Sequence, residues 1–271
     1  VPLFDDFVIP RAQKRLVTCH EDLEALRYLL TPPSKEDIEA VRESAATVKA
    51  FALQHGLLVE GRWGSVVDTA CWLSGMTELV LLAMDQPEFV QDLFGLIEEW
   101  NRERMRVLLD AGVELFIRRA WYEFADLWSP ALYRRFILPS VIGDAEEVHQ
   151  AGAKFGYIMS SGQMPLLDML LESGIDVLIG LDPVQGKGIN FEVMKQEIGE
   201  RICLWGGVNG FVTMERGTPD DVRREVRNAL QVLGPGGGFI LSPVDNVTEN
   251  TDRAWTNIKV LIDEWRKGRA Y

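Results

Sequence analysis

The chain has 271 residues, 47% of them hydrophobic and 25% charged, which suits a globular fold with a large core. Its net charge of −13 excludes nucleic acid as a partner, because phosphate binding needs a basic surface, and leaves room only for a local basic pocket. Cys19, Cys71 and Cys203 form no CxxC pair and no Cys/His cluster, so a disulfide framework and a structural zinc site are both excluded. Cys71 and Cys203 sit in apolar stretches and read as small buried hydrophobes. No apolar run approaches the ~18 residues of a membrane span, and no signal peptide opens the chain. A cytoplasmic location is the expectation. The chain opens on Val1 rather than Met, so residues upstream are expected to have been removed or to be missing.

In chain order, residues 1–32 read as irregular, with a short strand at Lys14–Thr18 and a short helix after it. Ser34, ahead of Lys35-Glu36-Asp37, caps a helix running to about His55. A first strand-like segment, HGLLVEGRW (55–63), follows. The helical pattern from Gly75 to Ala111 breaks at Asp85-Gln86-Pro87; Pro87 starts the next helix and Gly112 ends it. The second strand-like segment is VELFIRRAWYE (113–123), after which Ser129 caps a helix that passes Pro139 and ends at Ala151-Gly152. KFGYIMSSG (154–162) is the third segment, followed by a short helix from Met164 to Ser173-Gly174. The fourth is IDVLIGLDPVQG (175–186) and the fifth RICLWGGVN (201–209). Thr218-Pro219-Asp220-Asp221 opens a helix to about Gly234: a cap, a proline at the first position, and acids facing the dipole. GGFILSPVDN (237–246) is the sixth segment. In the last helix, Thr251 to Lys267, the residues Trp255, Ile258, Leu261, Ile262 and Trp265 recur at helical spacing and are expected to pack inward.

Continuous apolar runs alternating with helices point to buried parallel strands, and six such units in one domain (1–271) point to a (β/α) barrel. In that fold the residues at the carboxyl ends of the strands build the site. The rule collects Arg62, Arg118, Arg119, Glu123, Ser161, Asp182, Asn209 and Asp245 around one rim, with Trp63, Trp121 and Tyr122 as aromatic neighbours.

Each candidate has a structural reading beside its functional one. Gly234-Pro-Gly-Gly-Gly238 precedes a strand, the reverse of a phosphate loop, and reads as a turn. Gly206-Gly207-Val208-Asn209-Gly210 follows a strand, so its glycines could let a ligand approach the backbone, with Asn209 offering donor and acceptor. Of Arg118 and Arg119 at most one can face the barrel interior, since neighbours in a strand point to opposite sides. An interior arginine needs an anionic ligand or an acid, for which Glu123, Asp126, Asp182 and Asp245 are available; a structural ion pair stays open. Glu60 and Arg62, two apart, can pair with each other as readily as serve a ligand. Asp182, where IDVLIGL turns polar, is the strongest single candidate for a catalytic or orienting carboxylate, with Glu123 and Asp245 behind it. No histidine sits at a strand's carboxyl end, so neither a His base nor a Ser/His/Asp triad is supported.

The stretch from about Trp121 to Trp265 resembles the uroporphyrinogen decarboxylase superfamily. The resemblance is carried by WSPALYRRFILPSV (128–141), AGAKFGYIMSSG (151–162), ESGIDVLIGLDP (172–183), GGVNG (206–210), ERGTPDDVRREV (215–226) and PGGGFILSPVDNV (235–247), and more loosely by LSGMTELVLLAMDQPEFV (73–90). It implies a (β/α)8 TIM-type barrel. It also implies either a cofactor-free decarboxylase of tetrapyrrole carboxylates or a methyltransferase working with a corrinoid on a partner protein. Homodimers are common in the family. The Arg-rich amino-terminal segment of the decarboxylases is not found in Val1–Thr18, so it and the first barrel strand are absent or lie upstream. Several family methyltransferases bind zinc through a His-x-Cys pair and a later Cys; here those positions match Met159, Ser161 and Asp245, so no metal is expected.

Three functions follow as expectations. Methyl transfer from a small, methoxylated aromatic donor leads, with Glu123 or Asp182 acting on the leaving oxygen. Decarboxylation of a porphyrinogen-like polycarboxylate is the alternative, with Arg62, Arg118 and Arg119 on the carboxylates and Asp182 or Asp245 on pyrrole N–H groups. A non-catalytic ligand-binding barrel is the third, favoured by a rim whose arginines are all neutralised by carboxylates.

Overall fold

In the computed structural model, residues 14–159 and 161–270 are described. The apolar runs become six strands: β1 (Glu60–Gly64), β2 (Leu115–Arg119), β3 (Lys154–Ile158), β4 (Val177–Leu181), β5 (Cys203–Asn209) and β6 (Phe239–Val244). Each pairs in parallel with the next, in the order β1-β2-β3-β4-β5-β6, and helices make every crossover. This is a barrel wall of the TIM type. Among the described residues six strands stand where the resemblance implied eight, and β1 and β6 do not pair with each other.

Strand alternation sorts the side chains into two layers. Leu115, Ile117, Val177, Ile158, Ile179, Cys203 and Trp205 form an inner cluster on the concave side. Phe116, Phe155, Tyr157, Leu178 and Leu204 join the larger core between sheet and helices. A bulge in β4 between Ile179 and Leu181, at Gly180 with φ 110°, breaks the alternation, so Leu178 and Leu181 both face the helices.

The helices form where local chemistry predicts them. Ser34 and Asp37 cap Lys35–His55 reciprocally, Thr218 and Asp221 do the same for Pro219–Leu233, and Ser129 accepts from the Leu132 amide. From Pro130 to Gln150 the helix is interrupted by a π turn at Tyr133–Ile137, in which the Leu138 amide reaches Tyr133 O. Pro139, with no N–H to donate and a ring that crowds the preceding turn, accounts for the slip in the ladder.

Two expectations are corrected. Lys14–Thr18 is not a strand: the Leu16 and Val17 amides donate to Leu73 O at 2.9 and 3.3 Å, at the carboxyl end of the helix Val66–Ser74. In the last helix, Asp252–Gly268, Ile258, Leu261 and Trp265 pack inward, but Trp255 and Ile262 are 53% and 38% exposed. The buried stripe is rotated toward Ala254, Asn257 and Glu264, so the two outlying apolar residues fall on its flank. No single helix among the described residues is long and apolar enough to cross a membrane; Val66–Ser74 and Met76–Asp85 reach that hydropathy only as a pair bent by 101°.

Candidate ligand cavity at the strand ends

A cavity of about 600 Å³ opens on the concave side of the sheet. Its floor is the inner layer, Ile117, Ile158, Ile179 and Trp205, with the backbone of Gly180 and Gly206. Its rim carries Arg62, Trp121, Tyr122, Ser242, Asp245 and Asn246. Trp205 Nε1 donates to Ser242 Oγ at 2.9 Å, fixing the indole against β6. Gly206, at φ 144°, lies so close to β4 that a Cβ there would stand 2.7 Å from the Leu181 nitrogen. Asp245 is the one non-glycine residue at positive φ (66°) among those described, and its Oδ1 accepts from the Asn246 amide at 2.8 Å. Asp and Asn tolerate that conformation because the short side chain bonds locally.

Arg62 faces this cavity because its register partner in β2 is Ile117. Its Nε and Nη2 both donate to Glu60 Oε1, so the carboxylate two residues back neutralises it. Trp63 is one residue on and therefore points to the helices. Its Nε1 donates to Asn101 at 2.8 Å, and Arg104 stacks on Trp63 and Trp100.

The same register sends Arg118 outward beside Tyr157 and Trp63. Arg118 is 1% exposed and donates to Glu123 at 2.6 Å, Asp144 at 2.6 Å and Ser140 at 2.9 Å. Tyr157 donates its hydroxyl to Glu123 Oε2 at 2.6 Å, and Tyr133, from the π turn, donates to Tyr157 at 3.2 Å. Burial opposes the guanidinium charge, but Glu123 and Asp144 outweigh it and hold Arg118 above its ordinary range. Burial also pushes Asp144 up, more than Arg118 draws it down. Arg118 and Glu123 thus form a buried ion pair behind the sheet, outside the cavity lining. Arg119 takes the inward parity and lies over Trp121, 5.2 Å from the ring centre.

Asp182 and Asn209 meet each other, also outside the cavity lining. Asp182 Oδ1 accepts from the Val184 and Gln185 amides at 2.9 Å each, and Oδ2 accepts from Asn209 Nδ2 at 2.7 Å. Asn209 Oδ1 accepts from Val212 and Thr213, capping the π turn Gly210–Glu215, while its amide donates to Glu225. Every side-chain polar atom of this pair is used in holding the loops after β4 and β5. Ser161 donates to Asp126 at 2.7 Å on a separate loop.

Of the predicted residues, the cavity lining gathers Arg62, Trp121, Tyr122 and Asp245. Sequence reasoning missed Trp205 and the isoleucine floor, which strand parity would have pointed to, and it missed Asp68. Asp68 stands three residues after Ser65, a spacing that reads as an ordinary helix cap, and Ser65 Oγ does accept its amide at 3.0 Å. Its carboxylate instead accepts the Trp121 amide at 3.1 Å and the Tyr122 amide at 2.9 Å. Burial, then the nearby charge of Glu123, pushes Asp68 up to about 6.

Residues 4–267 match the uroporphyrinogen decarboxylase (URO-D) family model. The chain belongs to this family. Uroporphyrinogen decarboxylases of two Neisseria meningitidis strains are each 21% identical over 259 residues, covering 92% of this chain and 69% of theirs. Among solved structures, a methyltransferase from Methanosarcina mazei superposes with a TM-score of 0.68 at 19% identity, over 85% of this chain and 64% of that one. A B12-independent methionine synthase from Shewanella sp. W3-18-1 superposes with a TM-score of 0.55 at 12% identity, over 83% and 66%. The chain therefore spans less than two thirds of the length of these structural relatives, and at such identities they share its fold.

The zinc set of some URO-D-family methyltransferases does not fit here. Met159 is fully buried, Ser161 is spent on Asp126, and Asp245 bonds the backbone beside it. Among the described residues no three His, Cys, Asp or Glu side chains stand close enough to share a metal.

Proposed function

We propose that the cavity takes a small, flat, uncharged aromatic ether and that the chain serves methyl transfer from it to a corrinoid on a partner protein. One observation carries this reading: beneath a polar rim the floor and wall are apolar and aromatic, and the lining's one guanidinium among the described residues, Arg62, is already neutralised by Glu60. A polycarboxylate would need several uncommitted cations, whereas an arene fits between the isoleucine floor and the Trp121–Tyr122 wall. The volume lies in the range usual for small-molecule sites, roughly 300–1,000 Å³.

In this reading the corrinoid supplies the nucleophile that accepts the methyl group. The chain's part is to hold the ring against Trp121 and Trp205 and to present the ether oxygen to the rim. As the methyl carbon departs, the C–O electron pair stays on oxygen. Arg62 Nη1, which Glu60 does not use, offers a hydrogen bond to the developing charge, and solvent at the open rim supplies the proton. Glu123 and Asp182, both committed elsewhere, have no part in it.

The non-catalytic reading is met in part: Arg62 and Arg118 are neutralised by carboxylates, while Arg119 lies over Trp121 with no carboxylate partner among the described residues. One experiment separates the readings. Purified protein is titrated with 1,2-dimethoxybenzene and with benzene hexacarboxylate, and turnover is followed as methylcobalamin formed from free cob(I)alamin. Binding of the ether, weakened at least tenfold by Trp121→Ala, with methylcobalamin formed, is the expected result. Binding without turnover supports the non-catalytic barrel. Binding of the hexacarboxylate alone overturns the proposal in favour of a decarboxylase-like site.

A further inference from the structure

The aromatic wall of the cavity hangs on a carboxylate more than fifty residues away in the chain. Trp121 and Tyr122 follow β2, past the point where a sheet neighbour could accept their amides. Asp68 reaches across from the helix Val66–Ser74 and takes one amide on each oxygen. It is 1% exposed. The groups that face it are Ser65 and Cys71 on its own helix and Glu123 on the loop after β2, whose Oε1 also accepts the Val67 amide at 3.5 Å. Arg118 on β2 is spent on Glu123 and on Asp144 of the helix behind, and among the described residues no cation forms an ion pair with Asp68.

We infer that Asp68 is a positioning residue for the cavity: its carboxylate clamps two successive amides of the wall, and the placement of Trp121 and Tyr122 depends on that carboxylate being ionised. An ionised carboxylate is acceptor-only and serves both amides. Once protonated, the carboxyl loses its charge and its hydroxyl oxygen becomes a weaker acceptor, so the two amides no longer have charge-assisted bonds. Burial and Glu123 bring this change near neutral pH, since Asp68 is pushed up to about 6. Burial and Asp68 likewise push the Cys71 thiol up to about 12, so Cys71 stays neutral and adds no further negative charge beside Asp68. The consequence for ligands rests on the cavity reading proposed above; the clamp itself does not.

The test reads the clamp directly. Amide hydrogen exchange of Trp121 and Tyr122 is measured at pH 7.5 and pH 5.0, with rates corrected for the intrinsic pH dependence of exchange. Protection of the two amides should fall about tenfold or more at the lower pH, as expected for losing a charge-assisted hydrogen bond, while β3 and β4 amides keep theirs. Asp68→Asn, which can accept only one amide, should give the low protection at both pH values. Equal protection at pH 7.5 and 5.0 in the wild-type chain overturns the inference, and that comparison stands even if the variant does not fold. Binding of 1,2-dimethoxybenzene is followed in parallel and should weaken over the same pH interval. If the ether never binds, the functional reading fails while exchange still judges the clamp.

Discussion

Replacing Arg118 by leucine isolates the energetics of the buried polar layer. The guanidinium is 1% exposed and satisfies Glu123, Asp144 and Ser140 at 2.6–2.9 Å. Arg118→Leu leaves two carboxylates behind the sheet, with the Tyr157 hydroxyl as Glu123's remaining close donor. Stranding one partner of a buried pair costs about 3–5 kcal/mol. For a domain of this size that is a fall in Tm of roughly 6–20 °C. Asp144, already raised by burial, loses the guanidinium that draws it down and is raised further in the folded state. The folded variant then binds protons more readily than the unfolded chain, so its stability rises as pH falls toward 5. Thermal unfolding followed by circular dichroism at pH 7.5 and 5.0 measures both effects. Adding Glu123→Gln should recover part of the loss, because it removes one of the stranded charges. A deficit under about 1 kcal/mol, a deficit that does not shrink at pH 5, or a double variant no better than the single would refute the reasoning.

Asp68→Asn should run the other way in stability. A carboxyl raised from 3.8 to about 6 is destabilising where it is ionised, and the contribution present at low pH, roughly 3 kcal/mol, is lost as pH rises through 6. The variant should therefore gain up to about that amount at pH 7.5 and nothing at pH 4; an equal Tm difference at both would contradict this. Gly206→Ala should cost about 2–5 kcal/mol, since φ 144° and a Cβ 2.7 Å from the Leu181 nitrogen force β4 and β5 apart. Urea unfolding reads that loss, and a near-neutral result would mean that the two strands can separate freely. Thr218→Ala removes half of the reciprocal cap with Asp221 and should cost about 1 kcal/mol by the same assay.

Much of the fold was legible because its determinants are local. Ser34, Ser129 and Thr218 cap their helices through contacts within three residues, and Gly112 ends a helix at φ 82°. Five of the six apolar runs lie where strands form, since burial on both faces demands such runs, whereas Leu57-Leu58-Val59 precede β1, which exposes Glu60 and Arg62. The parallel order followed from the helices between them. The cavity was legible in part: Arg62, Trp121, Tyr122 and Asp245 were named from their places at strand ends. The Lys14–Thr18 segment was misread because its donors go to the distant Leu73 carbonyl, which no local pattern reveals.

What sequence alone determined is the succession of strands and helices, their caps, and membership of a family with this fold. Tertiary structure decided which polar tips share a space. Strand register turns Arg62 inward and Arg118 outward, and a slip of one residue in either strand would turn its arginine to the opposite face. The bulge at Gly180 reverses the faces of β4, and Asp182 beyond it bonds Asn209 and the loop amides instead of lining the cavity. Asp68 meets the Trp121 and Tyr122 amides only once the helix after β1 packs beside the end of β2. Contacts between residues 26 to 54 positions apart are set by packing of the whole wall, and no short window of residues encodes them.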